Sequence, residues 1–110
     1  MGLVREEILD ALDASVSEAE LQRCILQLAT ACGWTTYHTY DSRRSNAGYP
    51  DLTLVRPPRL MFVELKSEKG KWRPMQEKWL ELLRACNVEA YAWRPHDWRD
   101  GTIEAVLRND

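Results

Sequence analysis

Apolar positions recur along this chain first at helical spacing and then at strand spacing, and the changes of period mark its elements. Over residues 3–13, Val4, Ile8, Ala11 and Leu12 fall at helical intervals and predict a short amphipathic helix. Ser17 has the character of an N-cap, with Glu20 at N3 as its capping-box partner. The helix that follows carries Leu21, Cys24, Ile25, Leu28, Ala29 and Cys32 on one stripe and ends at Gly33, a residue suited to the position past a helix end. Residues 34–40 are rich in Thr and aromatics and predict a first strand. Residues 41–49 are polar and read as a loop. Two β-rich runs, 52–55 and 60–65, are joined by Arg56-Pro57-Pro58-Arg59, short enough for an antiparallel hairpin. Pro74 suits the first position of a helix whose stripe is Met75, Trp79, Leu82, Leu83 and Cys86. A fourth strand over 88–93 follows that helical crossover, which favours parallel pairing with the strand before it. Residues 95–101 read as a loop and 102–107 as a closing helix. The order α-α-β-β-β-α-β-α predicts an α/β fold, a small mixed sheet flanked by helices. The reading is one domain over 1–110, with residues 1–16 as a helical extension and candidate dimer contact.

Composition narrows the class. Hydrophobic residues at 45% and charged residues at 29% are ordinary for a soluble globular protein. No apolar run approaches the ~20 residues that span a bilayer. Acids stand at Glu6 and Glu7, where a signal peptide would be apolar, so a cytoplasmic location without membrane contact is expected. Three cysteines, Cys24, Cys32 and Cys86, show neither CxxC nor Cys/His spacing and read as small buried thiols, not as a disulfide framework or a zinc site. The net charge of −2 hides an uneven distribution. Nine Lys/Arg against four acids give +5 between Arg43 and Lys78, and six against thirteen give −7 elsewhere. Local field rather than net charge guides a phosphate backbone to a surface.

The positive segment also holds the chain's most informative residues. Gly48-Tyr49-Pro50-Asp51 opens one predicted strand, and Glu64-Leu65-Lys66 closes its neighbour. Side chains alternate along a strand, so Glu64 and Lys66 share a face. A hairpin brings Asp51 towards Glu64. Paired carboxylates repel unless a cation bridges them, and Mg²⁺ typically takes one or two carboxylates while keeping waters. The backbone carbonyl of Leu65 offers a further oxygen. Lys66 beside them suits chemistry that builds negative charge on phosphate. The same E-x-K spacing also fits a solvated ion pair on a polar strand face.

The wider context resembles the PD-(D/E)xK nuclease superfamily, and more closely its virus-type replication-repair nuclease (VRR-NUC) family. The resemblance runs from about residue 18 to 98. It includes Glu18-x-x-Leu21-Gln22, Gly33-Trp34, Ser42-Arg43-Arg44-Ser45, Gly48-Tyr49-Pro50-Asp51-Leu52, Phe62-Val63-Glu64-Leu65-Lys66, Lys69-Gly70-Lys71, Gln76 with Trp79-Leu80, and Ala92-Trp93-Arg94-Pro95-x-Asp97. It implies a restriction-endonuclease-like core, Asp51 and Glu64 as ligands of Mg²⁺ or Mn²⁺, Lys66 as catalytic lysine and Gln76 as a residue that arranges the site. It also implies a metal-binding glutamate on the first core helix. At ~100° per residue Glu18 lies about 40° from the apolar stripe and Glu20 about 120°, which favours Glu18. Ser42, Arg43, Arg44, Lys69, Lys71 and Arg73 are candidate phosphate contacts, and Trp72 a candidate for contact with a base or sugar. Trp34, Trp79 and Trp93 read as core, and His38 and His96 have no role in the site. The activity implied is metal-dependent, structure-specific endonucleolytic cutting of DNA, similar to Holliday-junction resolvases, by a homodimer on a four-way junction or flap. The rival readings are a sequence-specific or flap endonuclease and a nucleic-acid-binding module of the same fold that does not cut.

Overall fold

The computed structural model describes the backbone of residues 2–40 and 46–110, with side chains from Val4 onward. Its elements are α1 (Gly2–Ala14), α2 (Glu18–Ala31), β1 (Thr35–His38), β2 (Leu52–Arg56), β3 (Arg59–Leu65), α3 (Pro74–Ala85), β4 (Glu89–Trp93), α4 (Pro95–Arg99) and α5 (Thr102–Arg108). The four strands form one sheet in the order β1-β2-β3-β4. Both β1–β2 and β2–β3 are antiparallel, and β3–β4 is parallel across the α3 crossover, as the sequence predicts.

The α2 stripe builds the core. Ser17 caps α2, its Oγ accepting from the Glu20 amide at 3.1 Å, and Glu20 turns back onto Ser17 to complete the box. Leu21, Ile25 and Ala29 are thereby buried against one sheet face, with Leu52, Leu54, Met61, Val63, Leu65 and Trp93 opposite. Ile103 and Leu107 of α5 close the cluster. The β2–β3 hairpin turns on Pro57-Pro58, with Arg56 paired to Arg59.

Four expectations change. Residues 95–99 form α4 instead of a loop. Pro95 occupies its first turn and Asp97 accepts from the Arg94 amide at 2.8 Å, but five residues are too few to show a helical stripe. On α3 the residue that packs inward is Leu80, while Met75 and Leu82 stay about half exposed. Trp79 is only half buried and donates to the Ala47 carbonyl at 3.2 Å, whereas Trp34 and Trp93 are core. The cysteines are free but not buried: Cys24 and Cys32 are intermediate and Cys86 is exposed. On α1, Val4, Ile8 and Leu12 are also exposed. That helix is anchored instead through buried Asp13, whose two oxygens each accept from Arg99 Nε at 2.9 Å.

The positive segment is likewise divided by the fold. Arg56 and Arg59 sit at the hairpin turn, both stacked near the Trp34 ring. Arg56 donates to the Cys32 and Leu107 carbonyls, and Arg59 pairs with Glu89 at 2.7 Å. These two charges tie α5 to the sheet and lie at the opposite end of β2 and β3 from Asp51 and Glu64.

Candidate active site

Register brings the distant acids together. Leu52 pairs with Val63, so one step further Asp51 stands opposite Glu64. Thr39 N–H donates to the Asp51 carbonyl at 2.9 Å, and Glu64 pairs with Ala92. Thr39, Asp51, Glu64 and Ala92 therefore form a row across the end of the sheet, on the face away from the α2 core. Residues 63–66 are all buried, Glu64 at 3% exposure and Lys66 at 8%. A strand end covered on both faces is unusual for charged residues unless they are paired.

Asp51 is held by the Leu65 amide, which donates to its Oδ2 at 2.7 Å. Gln76 has two contacts. Its Oε1 accepts from the Arg73 amide at 3.0 Å at the start of α3, which leaves Nε2 to donate to Glu64 Oε1 at 3.3 Å. Glu64 is pushed up from 4.5 to about 9. Burial is the largest cause, followed by the hydrogen bond and the charge of Asp51. Lys66 works in the opposite direction and Glu18 adds to the rise. Burial and the neighbouring Asp51 carboxylate therefore disfavour a charged Glu64 in the absence of a cation.

A cavity of about 620 Å³ opens over this row. Glu18, Asp51, Glu64, Lys66, Arg73 and Gln76 line it. Glu20 does not, being engaged with Ser17. Trp72 lies on a neighbouring cavity, with Lys66 Nζ 5.7 Å from its ring centre. Lys69 and Lys71 are exposed on the turn between β3 and α3 and line neither cavity. Ser42, Arg43 and Arg44 lie outside the described residues. The wall also contains Tyr49 of the Gly48–Asp51 motif, and Thr39 and Asn46, which sequence reasoning did not single out. Only the register of β1 on β2 could have pointed to Thr39.

Among the described residues, no three His, Cys, Asp or Glu side chains are gathered closely enough to cage a metal ion. The pair Asp51–Glu64 nevertheless fits a hard divalent cation, for which one or two carboxylates and several waters are the usual set. A cation beside Asp51 would offset the burial and repulsion that raise Glu64.

The loop before Asp51 is fitted to α3 by a glycine. Gly48 has φ +80°, and a Cβ there would lie 2.5 Å from the Met75 carbonyl carbon and 2.7 Å from the Gln76 nitrogen. Gly48→Ala is expected to cost about 2 kcal/mol or more, from the left-handed backbone and the clash together. A denaturant titration checks this, and an unchanged midpoint would rule out the close approach.

The VRR-NUC domain family model matches residues 6–96. The chain belongs to the VRR-NUC domain family. A solved structure described as a VRR_NUC domain has the same fold, with a TM-score of 0.67 and 24% identity over 81% of this chain and 97% of that one. No curated protein matches. VRR-NUC is a family of nucleases acting on DNA, generally with a metal ion, and the sheet-end cavity is the candidate site for that activity. Among the described residues no helix is long and apolar enough to cross a membrane.

Proposed function

We propose that this VRR-NUC domain is a Mg²⁺- or Mn²⁺-dependent endonuclease that cuts branched DNA, in the manner of a Holliday-junction resolvase. The observation that carries the reading is the pairing of Asp51 with buried Glu64, with buried Lys66 on the same cavity wall. Asp51, Glu64 and the Leu65 carbonyl would hold the ion, with Glu18 reaching it directly or through water. When bound, the ion supplies a more acidic water as nucleophile and neutralises the scissile phosphate. Lys66 orients the attacking water or stabilises the charge that grows on phosphate. Gln76 fixes the Glu64 carboxylate. Arg73 borders the cavity and is placed to meet the DNA backbone. Ser42, Arg43, Arg44, Lys69 and Lys71 would extend that contact outward, and Trp72 would reach a base or sugar.

Resolving a junction takes two cuts, so two copies related by a two-fold axis are expected. The exposed Val4, Ile8 and Leu12 of α1 support a contact there. Gel filtration at twice the chain mass is the expected result.

The deciding assay offers four-way junction, flap, linear duplex and single-stranded DNA with Mg²⁺, Mn²⁺ or EDTA. Junction cleavage with either metal and none in EDTA is expected. Preferential flap cutting, or cutting of linear duplex at one sequence, would replace the resolvase reading with the corresponding endonuclease. Binding without any cleavage by wild type would leave a non-cutting module.

The two helix glutamates separate cleanly. Glu18→Ala is expected to lower metal-dependent cleavage by about ten- to a hundredfold. Glu20→Ala is expected to cost about 1 kcal/mol of stability through the lost cap and to leave cleavage intact. Single-turnover rates and thermal melts of both variants check the pair, and the reverse pattern would reassign the ligand.

A further inference from the structure

The segment Trp93-Arg94-Pro95-x-Asp97 leads from β4 into α4, and none of its residues lines the cavity over Asp51 and Glu64. Its place in the sheet explains why it matters. Leu65 pairs with Trp93, and Lys66 N–H donates to the Trp93 carbonyl at 3.0 Å. Carried one residue further, the parallel register puts Arg94 beside Lys66 on the same face.

Arg94 does not point to solvent. Its Nη1 donates to the Ser67 carbonyl at 2.7 Å and to the Glu68 carbonyl at 2.9 Å, the first two residues after Lys66. Its guanidinium also lies 5.4 Å from the centre of the Trp72 ring, over which Lys66 Nζ stands at 5.7 Å. A planar guanidinium can do both at once, donating at its edge and stacking with its face. A second tie supports the same turn, since the Glu68 carboxylate accepts from the His96 amide at 3.1 Å and contacts His96 Nδ1 at 2.9 Å. The chain from Lys66 to Trp72 is thus pinned to the start of α4 at both its carbonyls and its carboxylate.

We infer that Arg94 is a positioning residue for Lys66, fixing the turn that follows it and the Trp72 ring against which the lysine ammonium rests. The inference rests on the reading of Lys66 as the catalytic lysine. It also gives Trp72 a task within the protein, because the ring face attracts both cations and limits where the Lys66 head can go. Arg94 touches neither substrate nor metal; it acts through Lys66.

Two measurements test this on the full chain. The first is independent of activity. Lys66 Nζ lies 5.7 Å from the Trp72 ring centre, so the NMR signals of the methylene protons next to it should be displaced by the ring current, a displacement that Trp72→Ala abolishes. Arg94→Gln should also lose most of it, and Arg94→Lys, which keeps the charge without the fork, should retain part. Full retention in Arg94→Gln overturns the inference whatever the activity. The second is kinetic. Arg94→Gln should lower kcat by about a hundredfold with little change in KM, as a misplaced catalytic group does. In a Lys66→Met background the same substitution should cost nothing more, because the group it positions is gone. Full additivity of the two losses overturns action through Lys66. If wild type cleaves nothing, the nuclease reading falls, while the ring-current comparison still decides the positioning.

Discussion

Lys66→Met and Asp51→Asn are expected to remove DNA cleavage from a protein that remains folded. For Lys66 the loss should be on the order of 10²–10³ in rate, the scale seen when one preorganised group facing developing charge is deleted. Asp51→Asn should lose at least as much. It removes a carboxylate from the pair yet keeps an oxygen that can accept from the Leu65 amide, now 2.7 Å from Asp51 Oδ2. The substitution also takes a negative charge away from buried Glu64, so the metal-free protein should not be destabilised. Single-turnover cleavage in Mg²⁺ and thermal melting in EDTA measure the two effects separately. Wild-type cleavage by Asp51→Asn would show that the sheet-end pair is not where chemistry occurs.

The second large effect is a stability that falls as pH rises in the absence of metal. Glu64 is raised from 4.5 to about 9, so between those values the folded protein keeps a proton that the unfolded chain releases. Stability then declines through this window, by at most about 1.4 kcal/mol per pH unit from this group. Several degrees of melting temperature are at stake for a domain of this size. Glu64→Gln should flatten the dependence and leave the metal-free protein more stable than wild type at the alkaline end. Mg²⁺ or Mn²⁺ should restore wild type most strongly at that same end, where no proton competes for the carboxylates. Melts in EDTA and in metal across the window provide the check. An equal slope in Glu64→Gln and wild type would remove Glu64 as the source.

Much of this architecture is legible along the chain because it rests on local rules. Ser17 and Glu20 announce the start of α2, Gly33 its end, Pro74 the start of α3, and Pro57-Pro58 the hairpin turn. The misreadings have two causes, unseen packing and, for α4, short length. Met75, Trp79 and Leu82 have helical spacing, but periodicity locates a stripe without telling whether anything covers it. The same holds for Val4, Ile8 and Leu12. Arg56 and Arg59 count as positive charge in any window, but the fold commits them to Trp34, Glu89 and the carbonyls of α5. Helix α4 was invisible because five residues complete barely more than one turn.

For the site, residue type and strand alternation alone made Asp51, Glu64 and Lys66 candidates beside a plain solvated ion pair, and placed Glu64 and Lys66 on one face. The family pattern added Gln76 and a helix glutamate. The tertiary structure decided how these groups meet. Register set Asp51 against Glu64, burial and the Asp51 charge pushed Glu64 up, and the capping of α2 drew Glu20 away while Glu18 reached the cavity wall. It also showed Arg94 beside Lys66, which no spacing predicts, since the two are brought together only by a parallel crossover. Local chemistry is written in the order of residues because it depends on neighbours within a few positions. Charge state and partnership depend on who is nearby in space and how much water is excluded, and those follow from packing.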